Sequence, residues 1–226
     1  MKTITNLHRL TAFLLTACAL AAAPITVENH SFETFAPGAG ACAGAGCLFD
    51  HGPVPGWTAT GGDHGSWQPG LPVNAVYFNY IPDGNLVGYA NNVTMEQTVG
   101  VTVEGVTYTL EVEIGRRADG LSGTGPALAQ LRIGTTLFGA TGIVPSLGNF
   151  SSYTVAYTGA AAHVGQTITI MLGPGTAGGQ GNFDNVRLSA SDPVGGGSSP
   201  VPEPASMLPM AGGLAAGTLR SRRVKL

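Results

Sequence analysis

The strongest constraint on the fold is a two-residue alternation of apolar and polar side chains. In TYTLEVEIG, residues 107–115, the apolar positions are Tyr108, Leu110, Val112 and Ile114, and Thr or Glu stands between them. Successive side chains of a β-strand point to opposite faces, so this pattern gives a strand one apolar and one wet face. The same alternation recurs in ALAQLRIG, SSYTVAYTG and QTITIMLG, and no segment of helical length carries an apolar stripe of helical period.

Turn-forming residues separate these segments, as in IPDGN, VEGV and GPG. The chain contains 35 glycines and 15 prolines, and only 10% of its residues are charged. This composition favours short strands and turns over long helices. Short strands at this spacing predict an all-β fold, an antiparallel β-sandwich or barrel, over residues 25–190.

The first 21 residues predict export. Lys2 and Arg9 precede an apolar run from Leu10 to Leu20, and small residues follow, which is the pattern of a secretory signal peptide over 1–21. An alternative is a lipoprotein signal, because Leu15-Thr16-Ala17-Cys18 resembles a lipobox and would make Cys18 a lipidation site. The apolar run is shorter than the roughly 20 residues that a membrane-spanning helix needs.

The remaining cysteines and the charge balance agree with an exported domain. Without Cys18, Cys42 and Cys47 remain, and an even pair in an exported domain predicts a disulfide. Between the basic residues of the two termini, four arginines stand against thirteen acidic residues, so this part carries a net charge of −9. Such a surface repels phosphate backbones, which argues against nucleic acid as a partner.

The last 36 residues differ in composition from the rest. Residues 191–200 are rich in Gly, Ser and Pro and predict a linker. In 201–226, Pro202-Glu203-Pro204 precedes a short apolar run and a basic end. This order resembles the PEP-CTERM sorting signal. The resemblance implies cleavage by an exosortase after export, transient membrane insertion of the C-terminal segment, and delivery to the cell surface or the extracellular matrix.

A second resemblance concerns residues 25–190. The segments VENHSFE, VPGWTATGG, YTLEVEIGRRAD and GNFDNVRLSA resemble the galactose-binding-like jelly roll found in carbohydrate-binding modules. That resemblance implies a structural Ca²⁺ where the first and last strands meet, with Glu33 and Asp184 as side-chain ligands. In NFDNVRLSA, the alternation also predicts that Asp184, Val186 and Leu188 share one side of the last strand.

Aromatic residues indicate where a ligand would bind. Six of them lie between Trp57 and Tyr89, and a flat ring suits the C–H face of a sugar. Trp57 is interpreted as a core residue. Trp67, between turn residues in GGDHGSWQPG, is the candidate stacking platform. The predicted ligand-binding residues are Trp67, Asp63, Gln68, Tyr80 and Arg116.

Catalytic motifs are lacking, since the sequence has no G-x-S-x-G, H-E-x-x-H or GK[ST]. The sequence therefore predicts a non-catalytic protein with no catalytic residues, which binds or organises extracellular polysaccharide. One alternative is a purely structural envelope or matrix protein without a specific ligand. Another is a glycan-active hydrolase, for which Glu111 and Glu113 would be the carboxylate pair.

Overall fold

The computed structural model describes residues 22–42, 46–70, 77–121, 127–175 and 179–191. The predicted signal peptide, most of the linker and the sorting segment lie outside the described residues, and with them Cys18, Pro202, Glu203 and Pro204. Within the described part of the chain, no helix is long and apolar enough to cross a membrane.

The described residues form fourteen strands and one short 3₁₀-helix, Ala161–His163. The strands are β1 (Ala23–Ile25), β2 (Gly40–Ala41), β3 (Cys47–Phe49), β4 (Thr58–Ala59), β5 (Asp63–Pro69), β6 (Val87–Asn91), β7 (Met95–Val101), β8 (Thr107–Arg116), β9 (Leu128–Ile133), β10 (Thr136–Gly139), β11 (Thr141–Gly142), β12 (Asn149–Thr158), β13 (Thr167–Gly173) and β14 (Gln180–Ser191).

The strands form two antiparallel sheets. The larger sheet has the order β11-β12-β8-β14-β6-β5-β3-β2, and β1 adds to β14 beside its second half. The smaller sheet has the order β10-β9-β13-β7-β4. Neighbours that are distant along the chain show the crossover connections of a jelly roll, so the predicted all-β sandwich is confirmed.

The main core lies between the two sheets. Leu110, Val112 and Ile114 on β8 are at most 1% exposed, while the Thr and Glu between them lie on the wetter face. The smaller sheet contributes Leu131 and Ile133 from β9 and their pairing partners Ile170 and Ile168 from β13. Trp57 is buried in this core, as predicted, and stacks on Phe32 with ring centroids 5.6 Å apart.

The last strand does not keep its alternation. Asp184 pairs with Glu113, but Arg187 pairs with Glu111, so β14 advances three residues while β8 advances two. This β-bulge contains Asn185, whose φ is +47°. Phe183 and Val186 both enter the core, and Asp184 lies on the opposite face. The prediction that Asp184, Val186 and Leu188 share a side is therefore wrong, because the extra residue reverses the phase of the pattern.

A second hydrophobic layer covers the other face of the larger sheet at one end. We call it the outer cluster, and its buried members are Cys47, Trp67, Tyr77, Phe78, Val87, Tyr89 and Phe150. Gly115 leaves room for it, since a Cβ there would stand 2.5 Å from the Phe150 ring. This layer supplies the apolar base of the site described next.

Candidate functional site

The candidate site is a pocket of about 180 Å³ next to the outer cluster. Its lining residues come from both halves of the domain and are Cys42, Phe49, Asp63, Trp67, Tyr77, Tyr89, Asn91, Arg117 and Gln180. Five of the nine are aromatic or sulfur-containing, and the other four carry hydrogen-bonding or charged groups. This combination of an apolar wall and a few convergent polar groups is typical of small-molecule sites.

Strand register brings the polar residues together. Asn91 on β6 pairs with Asp63 on one side and with Gln180 on the other, so the three form one row across the sheet. Tyr89 lies two residues away on the same face. Gly65 pairs with Tyr89 and leaves room there for Asp50, since a Cβ at Gly65 would stand 2.3 Å from the Asp50 carbonyl oxygen.

The aromatic wall is formed by Trp67 and Tyr77, whose rings meet edge to face with centroids 5.0 Å apart. The Arg117 guanidinium carbon lies 4.8 Å from the Trp67 ring centroid and 4.9 Å from that of Tyr77. Arg117 also donates to Gln180 and forms a two-point contact with the Asp119 carboxylate, with its Nε 3.0 Å from Oδ1. These contacts fix a cation against both rings.

Asp63 is the anionic group of the pocket. Its Oδ1 accepts a hydrogen bond from the Tyr89 hydroxyl at 3.0 Å and lies 2.7 Å from His51 Nδ1. Its Oδ2 accepts from the Asn91 amide at 3.0 Å. Burial alone would raise the pKa of Asp63, but the hydrogen bonds from His51, Asn91 and Tyr89 and the nearby imidazole outweigh it and hold the pKa below its ordinary value. Asp63 is therefore a carboxylate at neutral pH.

Tyr89 supports this carboxylate as a neutral donor. Its hydroxyl lies 2.5 Å from the Asp50 carbonyl oxygen as well as near Asp63. Burial, followed by the negative charge of Asp63, raises the pKa of Tyr89 far above its ordinary value. The phenol thus keeps its proton at any physiological pH.

The disulfide between Cys42 and Cys47 forms one side of the pocket, with a Cα–Cα distance of 5.1 Å. The Trp67 indole Nε1 donates to Cys47 Sγ at 3.3 Å. The indole N–H of a buried tryptophan needs a partner, and here the disulfide supplies it.

The structure places only two of the five predicted ligand-binding residues at this pocket, Trp67 and Asp63. Gln68 follows Trp67 in β5, so its side chain lies on the opposite face of the strand from Trp67. Tyr80 is 43% exposed and donates to the Phe150 carbonyl at 3.2 Å, away from the pocket. Arg116 shares a face of β8 with Ile114, whereas Arg117 is in phase with Gly115 and turns toward the pocket.

The seven other lining residues were not among the predicted ligand-binding residues: Cys42, Phe49, Tyr77, Tyr89, Asn91, Arg117 and Gln180. For Arg117 a signal was present, because the alternation that places Ile114 in the core places Arg117 on the outer face. Asn91 and Gln180 are separated by 89 positions in the sequence, and the pairing of β6 with β14 brings them together.

The predicted calcium ligands Glu33 and Asp184 converge on the turn at Asp83 and Gly84. Glu33 Oε1 accepts from the backbone N–H groups of Asn85 and Leu86 at 2.9 and 2.7 Å. Asp184 Oδ2 accepts from the Asp83 N–H at 2.8 Å. Burial, and then the negative charges of Asp83 and Glu33, raise the pKa of the Asp184 carboxyl to about 8. Within the described residues, no three His, Cys, Asp or Glu side chains are arranged to hold a metal ion.

Two other features do not form a comparable site. A larger cavity of about 450 Å³ lies along β1 and the second half of β14, but its lining contains no Phe, Tyr or Trp. Glu111 in that lining pairs with Arg187 at 3.5 Å, and Glu113 accepts from the Ser152 hydroxyl. The two glutamates are thus engaged with separate neighbours.

The fold is a small jelly-roll sandwich with a compact, aromatic-walled pocket, the candidate ligand site, on the outer face of one sheet. The chain belongs to the HpiC1-like family, described as HpiC1 cyclase, whose sequence profile matches residues 23–189. No curated protein sequence gives a match.

Solved structures share this fold. The Stig cyclase Fisc from Fischerella sp. TAU, in complex with (3Z)-3-(1-methyl-2-pyrrolidinylidene)-3H-indole, is 24% identical with a TM-score of 0.61, and the match covers 76% of this chain and 100% of that one. A cyclase from Fischerella sp. TAU in complex with 4-(1H-indol-3-yl)butan-2-one is 23% identical, with a TM-score of 0.60 and coverage of 76% and 99%. These identities are low, so the two structures show a common fold.

The family assignment corrects the functional prediction. The expectation of a non-catalytic protein that binds or organises polysaccharide is wrong, and so is the alternative of a purely structural matrix protein, because the matched family is one of cyclases. The xylan-binding domain of Paenibacillus barcinonensis Xyn10C is 13% identical, with a TM-score of 0.48, which is too distant to support a sugar ligand. The polar groups of the pocket come from separate strands, so no linear motif contains them.

Proposed function

We propose that this chain is a cyclase that binds a flat, indole-type substrate in the pocket between Trp67, Tyr77 and Asp63 and promotes closure of a ring on it. The observation that carries the proposal is the pairing of an edge-to-face aromatic wall with an ionised carboxylate in one small cavity. The two solved cyclases contain ligands with an indole-type ring system, which is the class of molecule this wall suits.

The size of the pocket supports a compact ligand. Its volume of about 180 Å³ is below the ~300–1,000 Å³ of sites for drug-sized ligands. A bicyclic aromatic ring matches this space better than an oligosaccharide does. Trp67 and Tyr77 present ring edges and faces against which such a ring packs.

Asp63 supplies the polar chemistry. A carboxylate has about four acceptor positions, and within the described residues His51, Tyr89 and Asn91 use three of those on Asp63. The remaining position on Oδ2 suits the N–H of an indole. If ring closure develops positive charge on the ring system, a fixed carboxylate in a partly dry site stabilises that charge.

The pocket walls also restrict conformation. A flexible side chain on the substrate loses freedom when the ring is held, and its reacting carbons are brought close together. The chain's own contribution is then to bind, to orient and to stabilise charge.

Binding of 4-(1H-indol-3-yl)butan-2-one to the purified full chain tests the proposal by calorimetry. We expect saturable binding that Asp63→Asn weakens and that Thr98→Ala, a change in the smaller sheet, leaves unchanged.

For activity, indoles with an unsaturated side chain at C3 are incubated with the protein and analysed by chromatography and mass spectrometry. A ring closure across a double bond yields a product of unchanged mass and new retention time. Absence of both binding and new isomers would rule out the proposal.

We also propose that Glu33 and Asp184 hold a structural Ca²⁺, with backbone carbonyls completing the shell. The crowding of Asp83 and Glu33 around the buried Asp184 supports this, because a cation would offset their repulsion.

Export and C-terminal processing by an exosortase, with residence at the cell surface, stay proposals that rest on residues 1–21 and 201–226. The intact mass of the secreted form tests them, since both cleavages change it.

A further inference from the structure

His51 stands at the boundary between the pocket and solvent. Its Nδ1 lies 2.7 Å from Asp63 Oδ1, and its side chain is 70% exposed against 43% for Asp63. The imidazole therefore touches bulk water on one side and the pocket carboxylate on the other.

The position of His51 is fixed by its neighbours. Phe49, itself a lining residue, meets the imidazole edge to face with ring centroids 4.9 Å apart. The buried Asp50 carboxylate accepts from the N–H groups of Gly52 and Ser66, both at 3.0 Å, and ties the turn to β5. Gly52 has a φ of +69°, and a Cβ there would stand 2.8 Å from His64 Nε2. The turn that carries His51 is thus packed closely against β5.

We propose that His51 is a positioning residue that acts through Asp63, holding this carboxylate ionised and oriented so that the pocket selects ligands that carry or develop positive charge. This inference rests on the proposed function and specifies its substrate class. It follows from the 2.7 Å contact, the clamped ring and the shared boundary with solvent.

Charged and titratable groups from three elements surround His51. They are Asp63 and His64 on β5, the neutral Tyr89 on β6, and Asp50 in the turn that carries His51. At the opposite wall Arg117 is paired with Asp119. The His51–Asp63 pair has a net charge of −1 when the imidazole is neutral and of 0 when it is protonated. A cationic ligand should therefore bind more tightly when the imidazole is neutral than when it is protonated.

Two indole probes separate charge from shape. Tryptamine carries an ammonium group, and 4-(1H-indol-3-yl)butan-2-one is neutral. With the full chain, calorimetry from pH 5.5 to 8.5 should show tryptamine affinity rising about fivefold, the scale of two unit charges a few ångströms apart in water. The affinity of the neutral ketone should stay level.

Two variants make the test specific. His51→Asn keeps an amide donor near the place of Nδ1 but does not titrate, so the pH dependence for tryptamine should vanish. His30→Asn, a change at an exposed histidine next to Asp83, should leave the dependence intact. A pH dependence that persists in His51→Asn would overturn the inference while leaving the proposed cyclase standing.

A ligand-free measurement is decisive on its own. The carboxyl ¹³C resonance of Asp63 is titrated by NMR in the full chain and in His51→Ala. Loss of the donor should move its midpoint to higher pH, and an unchanged midpoint would overturn the inference. If neither probe binds at any pH, the proposed function fails, and this titration still decides whether His51 holds Asp63 ionised.

Discussion

Trp67 belongs both to the pocket wall and to the outer cluster. It is 5% exposed and packs against Tyr77, Phe78 and the Cys47 sulfur. A residue of this kind links ligand affinity to stability, because the ring that meets the ligand also fills the layer beneath it. Substitutions at Trp67 must therefore distinguish the loss of an aromatic ring from a change in the shape of that ring.

We predict that Trp67→Ala lowers the free energy of unfolding by about 3–5 kcal/mol, the range for removing a buried aromatic ring. It should also abolish binding of indole probes. Trp67→Phe keeps a ring but loses the N–H that bonds to Cys47, so it should retain most of the stability and part of the affinity. Chemical denaturation and calorimetry provide the two measurements. Equal affinity in Trp67→Ala and wild type would contradict the assignment of the pocket.

At the scale of elements, β8 decides which arginine reaches the site. The strand ends at Arg116, whose side chain shares the phase of the core-facing Ile114, and Arg117 takes the phase of the outer face. The two neighbours are thus a matched pair of the same charge in different surroundings.

We predict that Arg117→Ala weakens the binding of indole probes about twofold to fivefold, because the rings of Trp67 and Tyr77 lose a cation worth ~0.5–1 kcal/mol. Arg116→Ala should leave probe affinity unchanged. Calorimetry on both variants at one pH suffices. If Arg116→Ala has the larger effect, the assignment of faces in β8 is incorrect.

The turn before β6 is the second element with a defined role. Gly84 has a φ of +74°, and a Cβ there would lie 2.3 Å from the Glu33 carboxyl carbon. Gly120 has a φ of +79° and nothing within 4 Å of its Cβ position, so it is a control with the same backbone conformation and open space.

We predict that both Gly84→Ala and Gly120→Ala carry the backbone penalty of roughly 1–2 kcal/mol for an L-residue in the left-handed region. Only Gly84→Ala should add a further loss of thermal stability by displacing Glu33. Differential scanning calorimetry compares the two melting temperatures. An equal decrease in both variants would show that Glu33 is free to move aside.

At the scale of the whole molecule, the sequence predicts the layers better than the site. The alternation in β8 is enough to assign Leu110 and Ile114 to the core, because burial of one face dictates it. The bulge at Asn185 adds one residue without any change in composition, so the phase of Asp184 is not visible in the pattern. The row of Asp63, Asn91 and Gln180 depends on register between strands far apart in the chain, which local patterns do not fix.

Asp184 gives the stability of the whole molecule a pH dependence. It is completely buried, and burial, followed by the negative charges of Asp83 and Glu33, raises its pKa to about 8. Its ordinary pKa is 3.8. Between these values the native state binds a proton that the unfolded state does not, so stability falls as pH rises through this window. Without divalent cations, we expect the melting temperature to decrease from pH 5 to pH 8, with a loss on the order of a few kcal/mol.

Calcium should reverse this trend if it binds to the ionised Asp184, because a ligand of the native state stabilises it. Thermal unfolding of the full chain is measured from pH 5 to 8 in EDTA and in excess Ca²⁺. Asp184→Asn imitates the protonated acid and should remove both the pH dependence and the response to calcium, while Glu104→Gln, at an exposed position, should retain both. A melting temperature that is level with pH in EDTA would contradict the raised pKa. An equal calcium response in Asp184→Asn would contradict the proposed ligand.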